Sequence, residues 1–190
     1  MKILNISSSK GIGGREMLML TLSRGLKENG HEIKILTSPK GWIEKQAKSD
    51  NFEVYTLPMK KYIDIYSMFK IGQILKEFQP DIVHIYFISD IWLVVPAVKI
   101  FFPTAKIFLL RSMISCDMKD WIRTKLFLGL TKIITMSDFI KNDFISKTNV
   151  PAENVETIYI GVDVEKFDNI NKKNNVLKKD YNLPEDSILI

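Results

Sequence analysis

The chain has 190 residues, 46% hydrophobic and 26% charged, with 27 Lys and Arg against 22 Asp and Glu. That is a globular composition, long enough for one ordinary domain with a sizeable core and short for two complete ones; it excludes a disordered charged tail and low-complexity structure. One cysteine, Cys116, excludes an internal disulfide framework, and two histidines, His31 and His84, argue against a structural zinc site. The longest uncharged apolar run, Ile91 to Val98, is far below the roughly 20 residues of a membrane-spanning helix. Met1–Ile6 is too short for a signal peptide, so the expected compartment is the cytoplasm. Charge is uneven. Residues 1–150 hold 22 basic and 14 acidic groups, a net +8, whereas residues 151–190 hold 5 and 8, a net −3. The basic part suits an anionic partner or, equally, a merely Lys-rich soluble surface.

In chain order, Lys2–Ile6 reads as a buried strand. Leu18, Leu22 and Leu26 at helical spacing place a helix over Glu16–Glu28, stopped by Asn29-Gly30. Glu32–Thr37 is a strand, Trp42–Lys48 a short helix and Glu53–Leu57 a third strand. Asp64 caps a helix that runs to Phe78 before Gln79-Pro80. The rhythm then repeats. Asp81–Tyr86 is a strand, Ser89 or Asp90 caps a helix toward Phe101 with a kink expected at Pro96, and Lys106–Leu110 is a strand. A helix runs from about Asp117 to Leu130, Lys132–Met136 is a strand, Ser137 or Asp138 caps a helix toward Lys147, and Val155–Ile160 closes the series.

Strands joined by crossover helices make a parallel sheet, and their continuous apolar runs fit burial on both faces. The reading is a Rossmann-like, doubly wound α/β domain over residues 1–163. Residues 164–190 read as a solvated, Lys- and Asn-rich linker or loose helix followed by a turn and the beginning of a strand, Ile188 to Ile190, where a further domain is expected to start.

The first strand runs into Ser7-Ser8-Ser9-Lys10-Gly11-Ile12-Gly13-Gly14-Arg15-Glu16. Glycines there let a backbone approach a ligand, and the helix N-terminus behind them attracts an anion. A dinucleotide fingerprint counted from Gly11 requires Gly where Glu16 stands, and the second strand ends in Leu36-Thr37-Ser38-Pro39-Lys40 without the ribose-binding acid. A nicotinamide or flavin site is therefore disfavoured.

The run Gly13-Gly14-Arg15-Glu16 resembles the G-G-x-E loop of family 4 glycosyltransferases, which have the GT-B fold. Further segments agree in order and spacing: Gly30-His31-Glu32-Ile33, Pro80-Asp81-Ile82-Val83-His84, Thr135-Met136-Ser137, Ile158 to Asp163 with Phe167, and Tyr181-Asn182-Leu183-Pro184. The departures are Tyr86 where many members have a second His, Arg111 where many have a His beside the reacting sugar, Ile160 in place of Asn, and no E-x7-E motif. The resemblance implies the N-terminal, acceptor-side half of a retaining transferase. Its donor is a nucleotide-diphosphate sugar, and it needs neither metal nor cofactor. Gly13, Gly14, Arg15 and Glu16 then face the donor phosphates, Arg111 and His84 are the catalytic candidates, and Ser137 and Gly161 line the cleft. The acceptor expected is a glycan or a lipid-linked molecule at the inner membrane surface. The missing partner is a C-terminal donor domain, without which the chain is inactive or nearly so; nucleic acid is not an expected partner. The competing reading is a non-catalytic binding subunit of a two-chain transferase.

Three other features have two readings each. Trp121, Arg123, Lys125, Phe127 and Lys132 suit an interfacial surface, while Met118, Ile122, Leu126 and Leu130 form an ordinary core stripe. Lys60, Lys61 and Tyr62 are a basic patch or a loop. Cys116 is a bystander, because no base is placed near it.

Overall fold

The computed structural model describes residues 1–60, 64–161, 178, 180–182, 184 and 187. Contacts divide the chain into two units, Met1–Tyr159 and Ile160–Ile190. The 162–163 part of the expected domain lies outside the described residues, as do Lys61 and Tyr62 of the expected basic patch.

The first unit alternates strands and helices: β1 (Lys2–Ser7), α1 (Gly14–Glu28), β2 (Glu32–Thr37), α2 (Trp42–Ser49), β3 (Glu53–Thr56), α3 (Ile65–Phe78), β4 (Ile82–Ile85), α4 (Ile91–Phe101), β5 (Lys106–Arg111), α5 (Trp121–Leu128), β6 (Lys132–Thr135), α6 (Asp138–Ser146) and β7 (Val155–Thr157). All seven strands are parallel, in the order β3-β2-β1-β4-β5-β6-β7. This is the doubly wound arrangement expected from the alternation. Period-two geometry splits β1 between two cores. Ile3 packs with Met19, Leu20, Ile35 and Ile43 under α1 and α2. Leu4 and Ile6 pack with Ile71, Leu75, Val94, Phe127 and Phe144 under α3 to α6.

The helix ends follow local chemistry. α1 stops in a Schellman turn: the Gly30 N–H donates to Lys27 O, the His31 N–H donates to Leu26 O, and Gly30 takes φ +80, which favours glycine. Asp64 caps α3 by accepting from the Ser67 N–H at 3.0 Å. Pro96 is accommodated inside α4.

Two expectations need correction. Asp90 stands at the N-cap of α4, after a single 3-10 turn over Ile88–Asp90, but its side chain does not cap the helix. α5 is also shorter than read. Asp120 accepts from the Arg123 N–H and starts the helix there, because the Met118 N–H is already committed to Lys147 O. The helix is rotated as well: Phe127 is buried, whereas Ile122 is 40% exposed. The core stripe therefore contains Phe127 instead of Ile122.

Candidate functional site

Strand order reverses between β1 and β4, so the chain leaves these neighbours toward opposite faces and opens a crevice at their carboxyl ends. The loop Ser8–Gly13 forms one lip of this crevice, and Phe87–Asp90 forms the other. The first lip is strapped from both sides. The Ser8 N–H donates to Asp90 Oδ2 at 2.8 Å, and the Ser38 hydroxyl donates to Ser8 O at 2.8 Å. The Trp42 N–H reaches Lys10 O at 3.3 Å.

Gly13 is the N-cap of α1 and has no side chain to satisfy the first-turn donors. Its φ of −163 is extended backbone open to any residue, so conformation does not explain the glycine. Space does: a Cβ at Gly13 would lie 2.8 Å from Glu16 Oε2. Glu16 is only 4% exposed. Burial pushes its pKa up, but hydrogen bonds from Arg15 and Ser9, the Arg15 charge and its own backbone N–H outweigh burial and hold it below the usual value. Arg15 meets Glu16 Oε1 at 2.8 Å and lies 4.6 Å over the Phe87 ring. The first turn of α1 thus carries an internal anion and, beside it, a guanidinium fixed on two sides. That arrangement presents a directed cation and a row of first-turn N–H groups to an anionic ligand.

Asp90 was missed as a site residue. It is 2% exposed, and burial lifts its pKa to about 6, opposed by hydrogen bonds from Ser8 and by the Arg15 charge. The signal was present in an acid just beyond a strand at the switch point, but an acid before an apolar run also reads as a helix cap.

His84 lies deeper, on the α1 side of the sheet. Its register partner on β1 is Asn5 and on β5 is Phe108. Its ring stacks on Tyr86 at 4.3 Å and meets Phe108 edge-on at 6.5 Å. The residue is half-buried, yet Nε2 is sealed and unpartnered, and burial lowers the pKa to about 4. The Tyr86 hydroxyl is likewise sealed and unpartnered, with its pKa raised by burial. At neutral pH His84 is thus an uncharged imidazole beneath the crevice.

Arg111 ends β5 as expected but turns back into the protein. It is 8% exposed, and its Nη2 donates to Met113 O at 2.9 Å, Ile114 O at 3.4 Å and Ser115 Oγ at 3.0 Å. Its Cζ lies 5.8 Å from the Phe144 ring centroid, and burial lowers its pKa. The same loop is held from α6, where Asp143 accepts from the Ser115 N–H at 2.6 Å and Lys147 donates to Ser115 O at 2.8 Å. In this arrangement Arg111 organises the loop after β5. Ser137 caps α6 by accepting from the Ile140 N–H at 3.3 Å. Gly161 is exposed and belongs to the second unit.

Gly13 to Glu16 are therefore contiguous at the crevice with Asp90. His84 lies below it, Arg111 is engaged with its own loop, and Ser137 stands at the end of β6. Among the described residues, no cluster of His, Cys, Asp and Glu could hold a metal ion. Cys116 is exposed.

Comparison with known proteins gives this geometry a context. No curated protein matches the sequence. Among solved structures, a glycosyltransferase from Rickettsia africae is similar with a TM-score of 0.82 at 19% identity, over 97% of this chain and 50% of that one. HepE from Anabaena, solved with UDP and glucose, gives 0.76 at 16% identity, over 96% and 50%. A UDP-N-acetylglucosamine 2-epimerase from Rickettsia bellii gives 0.62 at 14% identity, over 95% and 51%. These likenesses show the fold, which transferases and an epimerase share. The chain spans about half the length of these structures. Its sheet and helices are the N-terminal half of the GT-B architecture. The sequence profile of Glycosyltransferase Family 4 matches residues 12–166, from the glycine loop through the last strand, and the chain belongs to that family.

Proposed function

We propose that this chain is the acceptor-side half of a retaining glycosyltransferase that moves a sugar from a nucleotide diphosphate to a glycan or lipid-linked acceptor at the inner membrane face. The observation that carries the reading is the position of Gly13, Gly14, Arg15 and Glu16, at the carboxyl end of β1 beside the β1/β4 reversal and within the family-matched region. Sugar transfer needs a stabilised leaving diphosphate and a positioned acceptor hydroxyl. In this reading the Gly14 and Arg15 N–H groups and the Arg15 guanidinium take the diphosphate oxygens, so no metal is needed. Glu16 and Phe87 aim Arg15. Asp90 fixes the loop through Ser8, and Ser137 borders the acceptor side. His84 and Arg111 act from beneath, as the neutral floor and as the holder of the loop after β5. Retention rests on the family resemblance alone.

The test is an amide NMR titration of the 190-residue chain with UDP, UDP-glucose, other nucleotide sugars and NADH. Saturable, weak shifts confined to residues 8–16, 87–90 and 137 are expected for nucleotide sugars. Shifts elsewhere, or a response to NADH in their place, would sink the reading.

A further inference from the structure

Two acids are buried beside the glycine loop, and they differ in what balances them. Glu16 has the Arg15 guanidinium at 2.8 Å. Among the described residues Asp90 makes no ion pair. Its side chain does not cap α4, and its Oδ2 accepts from the Ser8 N–H at 2.8 Å. The Asp90 N–H donates to Phe87 O at 2.9 Å. One short turn therefore sets Asp90 against Ser8 and the Phe87 ring against Arg15.

Few charges act on Asp90. From α1, Arg15 favours its ionised form. On α4, the stretch Ile91–Val98 carries no charged side chain. On β4, burial keeps His84 uncharged at neutral pH. On β5, Arg111 is bound to its own loop, and the acid that acts on it is Asp143. Glu16 is held below the usual carboxylate range and stays ionised where Asp90 titrates.

A carboxylate with no cation of its own repels a second anion, and burial strengthens the repulsion. A diphosphate at the first turn of α1 adds negative charge beside Asp90. It also draws on the Arg15 charge that favours the ionised carboxylate. Both changes favour the acid form. From this geometry we infer that Asp90 takes up a proton from solvent when a diphosphate binds at the glycine loop. One negative charge beneath the loop is removed as the ligand brings its own above it. The neutral carboxyl still accepts from the Ser8 N–H, so the loop keeps its strap. Asp90 is then a positioning residue whose charge adjusts to the ligand. The free chain stands close to this change, because burial lifts the Asp90 pKa to about 6 against the Ser8 hydrogen bonds and the Arg15 charge. Linkage fixes the sign: a ligand that makes Asp90 hold its proton more tightly binds more tightly as pH falls. The inference rests on the diphosphate site proposed above.

UDP-glucose is the probe, because its diphosphate gains no proton in this range. Calorimetric titration of the 190-residue chain near pH 6.5, in buffers of different ionisation heat, should show a fraction of a proton taken up per ligand bound. Affinity should be about tenfold greater at pH 5 than at pH 8, the gain that accompanies a rise of about one pH unit in the Asp90 midpoint. Asp90→Asn fixes the neutral form. It should bind at pH 8 about as tightly as the wild type does at pH 5, with no proton uptake. Carbon-13 NMR of the Asp90 carboxyl needs no variant and should show its midpoint moving up by about one pH unit on saturation. The coupling is overturned by a midpoint that stays or falls, by no uptake or by release, or by uptake that persists in Asp90→Asn. Shifts at Gly13 with an unmoved Asp90 midpoint overturn the coupling alone and leave the diphosphate site standing. If UDP-glucose moves neither Gly13 nor Asp90, the diphosphate site falls and the coupling with it.

Discussion

At Gly13 the structure changes the reason for the residue but not its importance. The backbone is extended and unstrained, and what a side chain would disturb is the buried Glu16 carboxylate and, through it, Arg15. Gly13→Ala is therefore expected to weaken nucleotide-sugar shifts about tenfold while moving the melting temperature little, a contrast that NMR titration and calorimetry together would check. Asp90 and His84 make a second pair of expectations. The folded chain holds the Asp90 proton more tightly than the unfolded chain, so its contribution to stability is fullest below pH 3.8 and is lost as pH rises through about 6. His84 runs the other way. Its contribution is full above pH 6.5 and is lost as pH falls to about 4. Each swing is bounded at about 3 kcal/mol, and in the overlapping window they oppose each other. Urea titrations between pH 4 and 6.5 should show a shallow profile for the wild type. Asp90→Asn should lose stability on acidification, and His84→Phe should gain it. Parallel slopes in the two variants would rule out this assignment.

Among the elements, α3 and α4 meet through a glycine. A Cβ at Gly72 would overlap the Phe101 ring, which itself packs on Phe69 at 5.4 Å. Alanine is the better helix former by about 1 kcal/mol, while overpacking costs about 1–3 kcal/mol. Gly72→Ala should therefore destabilise the chain by about 1 kcal/mol, measurable as a lower urea midpoint with an unchanged m-value. The first six strands were legible to within a residue at either end, whereas the last, read as Val155–Ile160, ends at Thr157. Runs such as Glu32–Thr37 carry apolar side chains on both faces, and only a buried parallel strand asks for that. α5 was less legible because Asp117 and Asp120 are equally good caps in sequence. The choice was made by a backbone bond to Lys147, remote in the chain. The glycine loop could be read locally, whereas the inward turn of Arg111 could not. Its partners depend on how residues 112–118 fold back.

For the molecule as a whole, the matched structures are about twice as long, and the proposed transferase reading gives the cleft a second wall. A diphosphate held from one wall keeps its contact with water, which weakens each remaining electrostatic interaction. The 190-residue chain on its own is accordingly expected to show no transfer from radiolabelled nucleotide sugars to membrane extracts. Turnover by the purified chain would show that one wall suffices. The strapped lip of the crevice bears on how such a cleft would work. Ser38 on one side and Asp90 on the other hold Ser8 through hydrogen bonds made within the chain itself. The glycine loop is then a sill and not a flap: it is ordered in advance, and ligand capture loses little conformational entropy there. In the proposed transferase reading, a loop fixed in this way would leave opening and closing to the rest of the cleft.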